Sequence, residues 1–129
     1  MRSTIFCKSS IMCPKGDGGA KKDVDQLSKE VPEQYKKNGK CDQYADAMEQ
    51  KMKEAGVEGE RIRVNSDHNI YSDKAGEVIG SNGYHDAVKV GDTVYDNMNP
   101  GGMPFNEWLK DLGIGEVSGI DWSVVKLIN

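Results

Sequence analysis

The sequence predicts an α+β domain in which an N-terminal central helix packs on a mostly antiparallel β-sheet, and three observations carry that prediction. Residues 41–55, CDQYADAMEQKMKEA, place Cys41, Tyr44, Ala45, Met48, Met52 and Ala55 at intervals of three and four, which makes one apolar helical stripe. Downstream the period changes to two, in Arg61–Val64, Tyr84–Val90 and Thr93–Asp96. Gly91-Asp92 separates the last two runs as a two-residue hairpin loop. With 129 residues, 36% hydrophobic and 29% charged, the chain reads as one globular domain able to bury a core without disulfides.

The elements follow in order. Residues 1–22 form a linker-like segment ending in Lys15-Gly16-Asp17-Gly18-Gly19-Ala20-Lys21-Lys22, and the domain proper is expected over 23–129. That segment is either a joint to a larger parent polypeptide or a frayed terminus. Asp23 is the expected N-cap of a short helix carrying Val24, Leu27 and Val31, which Pro32 ends or turns into another. Asn38-Gly39 signals a turn just before Cys41, and Gly56 stops the central helix. Arg61–Val64 and Glu77–Ile79 are short strands, Tyr84–Val90 and Thr93–Asp96 a hairpin, and Asn97–Met103 a loop. Pro104–Leu112 reads as a short helix, with Phe105, Trp108, Leu109 and Leu112 on one face and Gly113 ending it. Trp122–Ile128 is a closing strand.

Composition excludes several classes. The net charge is −4 and basic residues form no stripe with interleaved aromatics, so direct nucleic-acid binding is not expected. No apolar run approaches the ~20 residues of a membrane helix. The opening residues Met1–Cys7 lack the apolar stretch of a secretory signal, so export is expected to depend on another part of a parent protein. Three cysteines, Cys7, Cys13 and Cys41, do not make a disulfide framework. Cys7, Cys13, His68 and His85 lack zinc-ligand spacing, and neither metal nor organic cofactor is expected.

Cys41 falls in the first turn of the central helix, where unpaired N–H groups and the helix dipole favour a thiolate and can stabilise an oxyanion. The alternative is a small buried core residue. With Gly91-Asp92 as the loop, Val90 lies opposite Thr93 and Ala87 opposite Asp96. His85 then shares the face of Ala87 and lies diagonal to Asp96, at a backbone separation of roughly 7–8 Å that side chains can close. In that register Asp96 can accept the proton on one ring nitrogen, leaving the other for a thiol. A slip of one residue would turn Asp96 to the opposite face. Taken singly, His85 could be an ordinary sheet histidine and Asp96 a turn residue. His68 reads as a solvated loop residue, and Met48, Met52, Trp108 and Trp122 as core.

Asn38-Gly39-Lys40-Cys41-Asp42-Gln43-Tyr44-Ala45, followed by Tyr84-His85-Asp86-Ala87-Val88-Lys89-Val90-Gly91-Asp92-Thr93-Val94-Tyr95-Asp96, resembles the papain-fold toxin domains of bacterial polymorphic and contact-dependent toxin systems. The likeness spans residues 38–104. It implies a papain-like fold and a cysteine peptidase, with Cys41 as nucleophile, His85 as base and Asp96 as third member. Papain-type enzymes usually have asparagine as that third residue, and a glutamine six residues before the cysteine where Tyr35 stands here. Gln34 and Asn38 are the nearby candidates for the side-chain oxyanion donor.

The resemblance further implies delivery as the C-terminal part of a larger secreted protein, action in the cytoplasm of a rival bacterium, and a cognate immunity protein as inhibitor. The expected substrate is an essential cytosolic protein, with a type II DNA topoisomerase subunit as one guess from similar effectors. Related folds use the same triad to hydrolyse cell-wall peptides, deamidate glutamine or crosslink proteins. A non-catalytic binding module with a structural cysteine is the remaining reading.

Overall fold

A computed structural model describes residues 17–129. In chain order it has helix α1 (Asp17–Glu30), a 3₁₀ turn (Glu33–Tyr35), α2 (Cys41–Ala55), strands β1 (Gly59–Ser66), β2 (Ile70–Ser72), β3 (Glu77–Gly80), β4 (Tyr84–Val90), β5 (Thr93–Asp96) and β6 (Asn99–Pro104), α3 (Phe105–Asp111) and β7 (Ile120–Ile128). Five strands form one antiparallel sheet in the order β6-β5-β4-β1-β7, and β2 and β3 pair separately.

The sheet is covered on both faces. On one, Val24 of α1, Val31 just past its end, and Tyr44, Ala45, Met48 and Met52 of α2 pack on Val88, Tyr95 and Ile128. On the other, Trp108 and Leu112, with Ile70 and Ile79 of the β2–β3 ribbon, pack on Ile62, Val64, Ala87 and Val94. Strand alternation does the sorting: Ala87 goes to the α3 side and Val88 to the α2 side, and His85 follows Ala87.

Helix α2 has the bounds read from its stripe. Gly56 ends it in the left-handed conformation at φ 71°, and its N–H reaches the carbonyls of Lys53 and Met52. Burial of Met48 and Met52 contributes about 1.5–3 kcal/mol each. The β4–β5 hairpin also has its expected bounds, with Val90 paired to Thr93 and Val88 to Tyr95. Gly91 supplies φ 59° at the first loop position, which suits a type II′ turn.

Two expectations are corrected. Helix α1 starts at Asp17, so Asp17–Lys22 of the linker-like segment are helical, and Asp23 is interior rather than the N-cap. Ala20-Lys21-Lys22 are strong helix formers that continue directly into the amphipathic turns, and they outweigh the Gly18-Gly19 pair. The rest of that segment, with Cys7 and Cys13, lies outside the described residues. The second correction is that the expected loop 97–103 contains β6, paired to β5. Pro100 and Pro104 lack N–H groups, which an edge strand tolerates. The β5–β6 turn is built by Asp96, whose Oδ1 accepts from the N–H of Met98 at 3.0 Å and of Asn99 at 2.7 Å.

Candidate active site

The β4–β5 ladder stops at Val88–Tyr95, and a bulge follows between Val94 and Asp96 on the β6 side. Beyond that point no further β4–β5 pair forms, and the start of α2 is fastened to both strands. On the β4 side the Tyr84 hydroxyl donates to Asp42 Oδ2. On the β5–β6 side Asn97 Nδ2 donates to the Lys37 carbonyl at 2.8 Å. Cys41, half-buried and unbridged, directs its Sγ to Asp42 Oδ1 at 4.0 Å and bears on the His85 ring, whose proton affinity it raises, although α2 packs on the opposite face of the sheet.

His85 is fully buried, and its Nε2 bonds Asp96 Oδ2 at 2.9 Å. The same oxygen accepts the indole N–H of Trp108 at 2.9 Å, while Oδ1 accepts the two backbone N–H groups of the turn and Asn99 Nδ2 at 3.0 Å. A carboxylate so surrounded by donors is acceptor-only, which fixes the His85 proton on Nε2. Nδ1 is left buried without a hydrogen-bond partner among the described residues. The Trp108 ring lies 6.3 Å from the imidazole and covers the pair.

Burial opposes a charged imidazole here. The Asp96 hydrogen bond and the Cys41 sulfur outweigh it, and His85 is pushed up to about 9. Burial likewise opposes a charged Asp96, yet His85, then Trp108 and Asn99, hold that carboxyl below the usual range. Asp96, entirely buried, is therefore an ionised group whose charge is answered by the ring beside it.

The first turn of α2 is open. Lys40 stands at the N-cap with no side-chain capping bond, and the first intrahelical bond runs from Tyr44 N–H to Lys40 O at 2.9 Å. The N–H groups of Cys41, Asp42 and Gln43 precede that bond and have no intrahelical acceptor.

The two side-chain oxyanion candidates are not brought to this point. Asn38 Nδ2 donates to Glu77 Oε1 and to the Val78 carbonyl, both at 2.8 Å, so its amide pins the turn to β3. Gln34 is exposed on the 3₁₀ turn, and no hydrogen bond links it to Cys41 or His85. Spacing from the cysteine measures chain length, and the Asn38-Gly39 turn redirects the chain in between. His68 is exposed and bonded to Asp67 at 2.8 Å, as a loop histidine should be.

The bonds that Trp108 and Asn99 make to Asp96, that Asn97 makes to Lys37 and that Tyr84 makes to Asp42 are not legible in the sequence. Nothing in their spacing signals them, because each acts through a neighbour supplied by the fold. Nor is the cluster legible in which buried Asp86 bonds Arg61 (2.7 Å) and the partly exposed Arg63 (2.6 Å), which locks β1 to β4. Arg61 continues to Asp46 at 2.5 Å and Glu49 at 3.3 Å on α2, so this network holds the helix on the sheet. Among the described residues, no group of three or more His, Cys, Asp or Glu side chains could hold a metal ion. No helix among them is long and apolar enough to cross a membrane.

A family model described as papain fold toxin 2 matches residues 23–113. No curated protein and no solved structure matches the chain. The matched span runs from within α1 to just past α3 and takes in α2, β4 and β5. On that coverage the chain belongs to the papain fold toxin 2 family.

Proposed function

We propose that the domain is a cysteine peptidase that acts as an effector toxin inside a rival bacterium. One observation carries the reading: a buried histidine, anchored to a buried carboxylate through Nε2, keeps Nδ1 unpaired beside a cysteine at an uncapped helix start. His85 Nδ1 takes the thiol proton of Cys41, which makes the nucleophile. The Cys41 thiolate attacks the carbonyl carbon of a substrate amide, and the free N–H groups of the first α2 turn receive the developing oxyanion. His85 Nδ1 delivers its proton to the leaving amine as the C–N bond breaks, which leaves a thioester on Cys41. The neutral ring then takes a proton from water, whose oxygen attacks the thioester and releases the acid. Asp96 holds the ring orientation throughout.

The substrate is a protein of the recipient's cytoplasm, for which a type II topoisomerase subunit is one candidate. The producer is protected by a cognate immunity protein that occludes this site. Inducible cytoplasmic expression tests the reading. The wild-type chain is expected to stop growth and create new protein N-termini, and Cys41→Ala, folded by circular dichroism, to do neither. A fully toxic Cys41→Ala protein overturns it. Ammonia release with a one-dalton gain on target glutamines would place the same triad in a deamidase. Lysis only on periplasmic delivery would place it in a cell-wall amidohydrolase.

A further inference from the structure

The turn between β5 and β6 begins with Asn97, a residue the proposed chemistry does not use. Asn97 is buried, and its Nδ2 donates to the Lys37 carbonyl at 2.8 Å. The same carbonyl accepts the N–H of Lys40 at 3.2 Å, closing the turn that feeds Cys41 into α2. The other amide atom, Oδ1, is buried without a partner among the described residues. Reversing the amide would set two acceptors against each other, so Nδ2 is the atom that faces Lys37. A buried carbonyl oxygen without a donor is destabilising, and an apolar side chain of similar shape would remove that cost. Stability alone therefore does not account for asparagine at this place.

Its location does. The preceding residue, Asp96, grips the ring of His85, and Asn97 grips the turn that carries the sulfur. We infer that Asn97 is a positioning residue: it sets the separation between the Cys41 sulfur and the His85 ring by tying the Lys37–Lys40 turn to the hairpin turn that bears Asp96. The inference rests on the peptidase reading and adds a residue that touches neither substrate nor the reacting atoms.

The test is the rate of Cys41 alkylation by iodoacetamide, followed peptide by peptide in the full chain by mass spectrometry between pH 5.5 and 9, beside thermal denaturation. In the wild type, alkylation is expected to remain fast near pH 6, and His85→Ala to remove that acid-side reactivity. Asn97→Leu deletes the donor and the unpaired oxygen together. It is expected to slow alkylation about tenfold near pH 6, to converge on the wild-type rate near pH 9, and to melt no lower than the wild type. Asn97→Ala, smaller and free of overpacking, is expected to give the same pH profile. A wild-type profile in both variants overturns the inference, as does a loss of reactivity that only tracks a lowered melting temperature. A wild type no more reactive than His85→Ala at pH 6 defeats the peptidase reading, and the inference with it.

Discussion

Replacing Asp96 by asparagine keeps its shape and removes its charge. An amide cannot accept from the His85 ring, the Trp108 indole and the turn N–H groups at once, and it no longer supports an imidazolium. Asp96→Asn is expected to lower peptidase turnover by about 10³–10⁴-fold, measured on a target protein once growth arrest has identified one. Trp108→Phe keeps a ring over the pair and loses one donor to a buried charge. It is expected to cost about 1.5–3 kcal/mol by urea denaturation. His85 and Asp96 were legible in the sequence because both lie on one hairpin, whose loop sets the register. Gln34 and Asn38 were not, because their use depends on where a turn sends the chain. The amide of Asn38 is consumed by Glu77 and Val78, far away in sequence.

Among the elements, α2 and the β4–β5 ribbon were readable because each carries a period and a glycine stop. The β6 strand was not. Asn99-Pro100-Gly101-Gly102 has the composition of a loop, and only pairing to β5 and the side-chain bonds of Asp96 make it a strand. Helix α1 lies along it, with Ser28 Oγ bonded to the Pro100 carbonyl at 2.5 Å. The helix layer is held to the sheet in two ways that mutation can separate. Met48→Ala removes apolar contact and is expected to cost about 2–5 kcal/mol. Asp86→Ala leaves Arg61 and Arg63 without their shared carboxylate and is expected to cost about 3–5 kcal/mol. Denaturant unfolding measures both. The double replacement Arg61→Met with Asp86→Leu should cost less than Asp86→Ala alone, because it leaves no guanidinium buried at the β1–β4 junction.

For the whole molecule, the His85–Asp96 pair imposes a pH optimum on stability. The imidazole is raised from an ordinary 6.5 to about 9, so its contribution is complete below 6.5 and is lost as the pH climbs through about 9. The Asp96 carboxyl is held below its ordinary 3.8, so its contribution is complete above 3.8 and is lost as the pH falls through its lowered folded value. The pair stabilises most between roughly pH 4 and 6.5. Melting temperatures taken across pH should decline on the alkaline side in the wild type, and that limb should flatten in His85→Ala. The placing of Cys41 and His85 has one more consequence. The sulfur rides on a helix from one side of the sheet and the imidazole on a strand facing the other, so the two meet only in the folded domain. On the peptidase reading, any opening that separates α2 from the sheet is expected to abolish activity until the two halves close on each other again.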